Sequence, residues 1–379
     1  MTLTIGALNV YPIKSCRGVA LQSAILTNAG LLYDREWMVV REDTGKFISQ
    51  REKEALALVE ISLPPEALTL PQPPGNTEAA AAAAAPLLPP QPPAGAVMTV
   101  TAPGMPPLQV PLQRRADCQI RQVTVWEWTG AGADEGEQAA DWFSTYLGLP
   151  ARLVRYLGSG GSRGGSGAGN SSGDSGSSGS SGRGAAGSRG QDAVEGSKGS
   201  GGGGGEGGVL PLVRTTEAAY AVDYETRFSD GYPMLLATQA ALADLNSRLT
   251  EPLPMNRFRP NIEVAGSDPW AEDGWRDIEV RCSEDGRTLR LTSVKPCARC
   301  KMPTINQATG EVGDEPMDTL GVIRSGKQLG WNTGGNKAWT HCAFFGWNVV
   351  SRGTGVLRVG DVLTPVSTQM HPAALTPAM

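Results

Sequence analysis

The chain has 379 residues, with 33 Lys and Arg against 38 Asp and Glu, for a net charge of −5. That length suggests two ordinary domains, and the acidic balance argues against a nucleic-acid binder held by a basic face. His341 and His371 are the only histidines, which excludes Ser-His-Asp catalysis, bis-His haem ligation and multi-His metal sites. Six irregularly spaced cysteines give no disulfide framework. No signal peptide precedes the strand-like start at Met1–Ile5, and the apolar run Ala79–Ala85 is too short to span a bilayer. A soluble, cytoplasmic protein without a transmembrane segment is therefore expected.

In chain order, alternating or β-rich segments predict strands at Thr4–Tyr11, Val19–Thr27, Trp37–Arg41, Lys46–Ser49, Leu56–Leu63, Val97–Thr101 and Cys118–Val125. Asp43-Thr44-Gly45 is a hairpin turn. Residues 70–96 hold a poly-Ala run between Pro pairs, and residues 158–208 are almost entirely Gly, Ser and scattered charge. Neither carries enough apolar surface to offset the entropy of ordering, so both are expected as disordered insertions. A helix fits Glu137–Leu147, stopped by Gly148, and a second fits Thr238–Leu249. Strands follow near Asn261–Val264, Asp277–Cys282 and Thr288–Ser293, with a closing segment at Val356–Leu363. Short strands with few helices indicate barrel or sandwich architecture.

The richest chemistry lies in Lys295-Pro296-Cys297-Ala298-Arg299-Cys300-Lys301. A CxxC after a strand is half of a zinc site completed by Cys282 or His341-Cys342, or a redox dithiol whose neighbouring Arg favours thiolate. It is also compatible with one soft ligand to a metal otherwise held by a cofactor. Lys14-Ser15-Cys16-Arg17 follows a strand as a loop able to cradle phosphate. Arg259 and Asn261 open a strand, and Arg35 lies between two acids. Dispersed cations with an Arg-flanked cysteine suit a phosphate-bearing cofactor carrying a soft metal.

These stretches resemble the MOSC family, and within it the mitochondrial amidoxime-reducing type. The matching motifs are YPIKSCRGV at 11–19, LLYDREWMVV at 31–40, FSDGYP at 228–233, LADLNSRL at 242–249, RFRPNI at 257–262, WAEDGW at 270–275, CARCKMPTINQATG at 297–310 and VGDVL at 359–363. The resemblance implies a mainly β fold with some α: an N-terminal MOSC β-barrel domain over 1–157, the linker 158–208, a MOSC β-barrel domain over 209–366 and a disordered tail over 367–379. It implies a molybdenum cofactor (Mo-molybdopterin), with Cys300 as catalytic metal ligand. Lys14, Ser15, Arg35, Arg259 and Asn261 would hold the pterin and phosphate, Ala298 and Arg299 would line the Cys300 loop of the cofactor site, and Asp230, Gly231 and Tyr232 would approach the metal. It further implies reduction of N-hydroxylated compounds, with electrons from NADH–cytochrome b5 reductase through cytochrome b5. Two other functions remain open: a cofactor sulfur carrier, since MOSC domains accompany pyridoxal-phosphate domains in sulfurases, and a zinc-stapled module using Cys297, Cys300 and Cys342.

Overall fold

A computed structural model describes residues 2–68, 91–158, 210–284 and 286–368. The insertions expected at 70–96 and 158–208 and the tail from 367 lie outside the described residues, except at 91–96, 158 and 367–368. At 91–96 the expectation is corrected: Ala96 is buried in the main core and its N–H bonds the Pro93 carbonyl.

The chain runs through β1 (Leu3–Val10), β2 (Val19–Leu21), β3 (Ser23–Thr27), β4 (Gly30–Leu31), β5 (Trp37–Arg41) and β6 (Glu60–Ser62). It continues through β7 (Val97–Thr101), β8 (Leu108–Pro111), β9 (Ile120–Val125), β10 (Trp128–Asp134), α1 (Glu137–Leu147) and β11 (Ala151–Tyr156). After residue 210 come β12 (Met234–Thr238), α2 (Gln239–Asn246), β13 (Ile262–Ala265), β14 (Trp275–Arg281) and β15 (Thr288–Arg299). The last elements are α3 (Met317–Ile323), β16 (Ala343–Ser351), β17 (Gly355–Arg358) and β18 (Val362–Thr368).

Seven strands close a barrel in the order β13-β12-β16-β15-β14-β18-β1, with β1 returning to β13 and β2 beside β1. Closure leaves no exposed strand edge around that wall. The N-terminal strand β1 is thus a stave among later ones, Leu3 pairing with Leu363 and Ile5 with Val264. Ile5, Leu8 and Val10 of β1 point into the core; a register shift between Ile5 and Ala7 carries the pattern from one to the next. Smaller sheets (β5-β11-β10-β9, β17-β3-β4 and β6-β7-β8) complete the fold.

α1 forms over the expected residues because Ala139, Ala140, Trp142, Phe143 and Leu147 make one buried face, and Gly148 ends it at φ 66°. α2 begins at Gln239, the Thr238 hydroxyl capping it by accepting the Ala241 N–H at 3.1 Å.

Several strand expectations are corrected. Lys46 and Phe47 make only isolated bridges, and Leu56 and Ala57 lie in a 3-10 turn before the short β6. Val19–Thr27 breaks at Gln22, and Val356–Leu363 breaks at Gly360, where φ is 95°. β12 and β16 escape an alternation search because they are buried on both faces in largely apolar runs, and β11 because buried Arg152 and Arg155 interrupt its apolar residues. The strand expected to stop at Ser293 runs on to Arg299, so Cys297 is a strand residue.

Candidate functional site

β1 delivers Tyr11 to Ser15 beside the start of β5, where the Lys14 N–H bonds the Trp37 carbonyl. Buried Tyr11 carries two guanidinium groups on its ring, those of Arg35 and Arg259, each 4.2 Å from the centroid. Its hydroxyl donates to the Pro260 carbonyl at 3.2 Å, and burial pushes the phenol up to about 12 despite both cations. Asp34 is fully buried; it accepts the Tyr11 N–H at 2.8 Å and Arg35 Nη1 at 2.7 Å.

Arg35 also donates to Asn261 Oδ1 at 2.9 Å and to the Arg259 carbonyl at 3.3 Å. Asn261 Oδ1 accepts the Leu235 N–H at 3.1 Å as well, and its Nδ2 donates to the Asn9 carbonyl at 3.1 Å. Asn261 therefore ties β1, β12 and Arg35 together.

Arg259 is different. It is 6% exposed, and among the described residues no hydrogen bond or ion pair reaches its guanidinium. Burial lowers it to about 10, and the neighbouring Arg35 charge adds to that. Ser15 is likewise buried, with its Oγ unpartnered among the described residues. Ser15, Arg35 and Arg259 all hold positive φ (69°, 45° and 57°). Such strain in non-glycine residues gathers where function needs a fixed geometry.

Across from this corner, Lys14 Nζ meets Asp230 Oδ1 at 2.5 Å. Lys14 is buried, whereas the Asp230 side chain is 59% exposed. Burial lowers Lys14 to about 8, opposed by Asp230. Desolvation would raise the Asp230 carboxyl; the Lys14 charge and hydrogen bond, with Arg51 and Trp126, hold it well below the carboxylate range. Buried Arg214 fixes this loop, donating to the carbonyls of Arg227 (3.0 Å), Ser229 (2.5 Å) and Asp230 (2.5 Å).

A side chain added at Gly231 would meet nothing within 4 Å, so that face is open. Tyr232 is not brought to the cluster: it packs with Ala221, Val294 and Val350, and its hydroxyl donates to Glu217 at 3.2 Å.

Pairing of β15 with β16 places the cysteines. Pro296 opposes Trp347 and Ala298 opposes Phe344, so two residues of β16 stand opposite Cys297 alone. One of them is Gly346, at φ 74°, where a Cβ would lie 2.7 Å from the Leu236 carbonyl oxygen. This bulge bends the ladder at Cys297. Arg299 Nη1 donates to Cys297 Sγ at 3.0 Å and Nη2 to the Phe258 carbonyl at 2.9 Å.

The Nε atoms of Arg299 and of Arg257 have no partner among the described residues. Burial raises the Cys297 thiol; Arg299 only partly opposes this, and nearby Asp230 and Cys300 add to it. Cys297 thus accepts a hydrogen bond from Arg299 while its burial opposes ionisation. Ala298 is exposed, and Cys300 is partly buried just beyond β15.

The cysteines considered as partners of the pair are packed elsewhere. Cys282 belongs to the main core, and Cys342 lies against the Trp331–Trp339 cluster with Sγ 3.5 Å from the Ala338 carbonyl. Among the described residues no three His, Cys, Asp or Glu side chains gather to hold a metal. Lys295 is paired with Glu217 at 2.6 Å and lies 4.4 Å over Tyr220.

Tyr11, Trp126, Arg214 and Arg257 were not anticipated. Tyr11 and Arg257 stand inside quoted motifs, whereas Arg214 and Trp126 lie in stretches with no motif at all.

The sequence matches the MOSC N-terminal beta barrel domain over residues 2–86 and 82–150, and the MOSC domain over residues 223–364. The chain belongs to the MOSC family. It is 27% identical over 373 residues to mitochondrial amidoxime reducing component 2 of Rattus norvegicus, covering 94% of this chain and 82% of the relative. It is 26% identical over 364 residues to mitochondrial amidoxime-reducing component 1 of Homo sapiens, covering 94% and 81%. Both MOSC segments contribute to the site: Lys14, Ser15 and Arg35 come from the first, and Asp230, Arg259, Asn261 and Cys300 from the second. Among the described residues no helix is long and apolar enough to cross a membrane.

Proposed function

We propose that this MOSC protein is a molybdenum-cofactor-dependent oxidoreductase that reduces N-hydroxylated compounds such as amidoximes, hydroxylamines and N-hydroxylated bases. The observation that carries the reading is the buried, unpartnered guanidinium of Arg259. It stacks on the Tyr11 ring, from which the chain runs on to the unpartnered Ser15 Oγ, and it stands one residue from Phe258, whose carbonyl Arg299 holds. Free buried donors of positive charge next to a cysteine pair fit an anionic ligand that also takes a soft thiolate.

In this reading Arg259, Arg35 and Lys14 neutralise the cofactor phosphate, and Ser15 Oγ donates a hydrogen bond to it. Cys300 supplies the protein sulfur to the metal, while Arg299 and Ala298 line the same strand end. When bound, the pterin-held molybdenum supplies the oxygen and electron exchange that amino-acid side chains lack. Asn261 and Asp34 hold the cations in place. Asp230, kept ionised by Lys14, accepts a hydrogen bond from the N–H or O–H of a substrate entering over Gly231. Electrons arrive from NADH through cytochrome b5 reductase and cytochrome b5, and the protein works in the cytoplasm.

Metal and pterin analysis of the purified full chain, followed by benzamidoxime reduction with a reconstituted donor chain, tests the reading. Stoichiometric molybdenum with turnover is expected. A persulfide on Cys300 without molybdenum, or stoichiometric zinc, would overturn it in favour of a sulfur carrier or a zinc module.

A further inference from the structure

The hairpin between β9 and β10 has the smallest possible loop. Val125 pairs with Trp128, leaving only Trp126 and Glu127 to turn the chain. Trp126 holds φ 53°. Two-residue hairpin loops with a positive φ at their first position favour Gly, Asn or Asp, because a large side chain is strained there. The same indole is 38% exposed, one of the few large apolar side chains left open to solvent. A glycine would relieve both penalties, so the turn itself does not call for tryptophan.

The contacts of the ring lie toward the site. Its Nε1 donates to Asp230 Oδ1 at 3.3 Å, the same oxygen that Lys14 engages. The Arg51 guanidinium lies 4.4 Å over the ring, and Phe47 packs against it with centroids 5.1 Å apart, tilted by 57°. Phe47 in turn lies 5.3 Å from Lys14 Nζ. The indole is therefore fixed beside the Lys14–Asp230 pair, next to the open face at Gly231.

We propose that Trp126 is a substrate-selecting wall of this site, favouring flat, aryl-conjugated N-hydroxylated compounds over small alkyl ones. The inference rests on the reductase reading above for the kind of molecule that enters. A rigid indole, 38% exposed, packs against a conjugated ring and gains nothing comparable from a methyl group. Arg51 and Phe47 hold it against rotation, so stacking orders little that is not already ordered.

Equilibrium binding of benzamidoxime and of acetamidoxime to the full, cofactor-loaded chain tests the proposal, with Trp126→Gly and Trp126→Phe beside wild type. Wild type is expected to prefer the aryl ligand, and Trp126→Gly to lose that preference about tenfold, or about 1.4 kcal/mol. Trp126→Phe should recover most of it. The melting temperature of Trp126→Gly should stay close to that of wild type, because relief of the turn offsets the lost contacts with Asp230, Arg51 and Phe47. An aryl preference that survives in Trp126→Gly overturns the proposal, as does its absence in wild type. A fall in melting temperature with equal loss of both ligands shows a structural role and overturns it too. If Trp126→Gly loses aryl binding but wild type turns over neither compound, the wall stands and the reductase reading falls.

Discussion

Two buried arginines of this barrel live under opposite rules. Arg324, at the end of α3, meets Asp273 at 2.7 Å; Trp347 donates to the same carboxylate at 2.9 Å, and the guanidinium lies 4.3 Å over Trp270. Arg259 is as deeply buried, yet Asp34, the carboxylate nearest in its corner, is taken by Arg35. A charge that has its counter-ion within the protein holds the fold. One kept without a counter-ion costs stability, and in the proposed function Arg259 offers its charge to the cofactor phosphate.

The sharpest break concerns the cysteine pair at the end of β15. Cys300→Ser should lose molybdenum and reduce amidoxime turnover by more than about 100-fold, since a hydroxyl is a poor soft-metal ligand. Cys297→Ser should cost less than about tenfold, because a serine oxygen can still accept the Arg299 N–H that Cys297 Sγ accepts at 3.0 Å. Equal losses, read by metal content and initial rate, would mean that the two cysteines act as a pair.

The arginines themselves come next. Asp273→Asn leaves Arg324 buried beside a neutral amide and should destabilise the fold by about 3 kcal/mol, seen in urea unfolding. Arg259→Met in cofactor-free protein should be neutral or stabilising by about 1 kcal/mol, because an uncompensated buried charge is removed. Its cofactor retention on dialysis should drop at least tenfold. If Arg259→Met unfolds as readily as Asp273→Asn, the contrast between the corners collapses.

How much of this was legible depends on whether each residue's role leaves a local mark. α1 was readable because its buried face repeats at helical spacing and a glycine ends it. Lys14, Arg35, Arg259 and Asn261 were readable as cationic and amide side chains at strand ends; Arg35 bonds Asn261 and shares the Tyr11 ring with Arg259, whereas Lys14 pairs with Asp230. Their division of labour was not. Asn261 is engaged on every side by backbone and Arg35, while Arg259 is left free, and only three-dimensional partnering separates the two. Trp126 was silent because a tryptophan after a strand looks like ordinary β sequence; its positive φ and its bond to Asp230 are tertiary facts. Arg214 follows a long Gly/Ser stretch and works through carbonyls 13 to 16 residues away, a pattern with no sequence period.

The smallest effect separates the corners by pH. Glu272 beside the Arg324 corner is 1% exposed, and its carboxyl is raised from 4.5 to about 7, first by burial and then by the Asp273 charge. The Thr238 hydroxyl, donating at 2.8 Å, and Arg324 oppose the shift without cancelling it. Because the folded state keeps this proton to about pH 7 while the unfolded chain releases it near 4.5, the contribution of Glu272 is greatest below 4.5. It falls as pH rises to about 7 and stays at its low value above that. Glu272→Gln copies the protonated form, so it should flatten this limb and stabilise the protein at pH 8 by roughly 2 kcal/mol. Melting curves of the variant and wild type should converge near pH 4.5 and separate above it; parallel curves from pH 5 to 8 would show that Glu272 is already ionised in the folded state, with its charge balanced by the Arg324 corner.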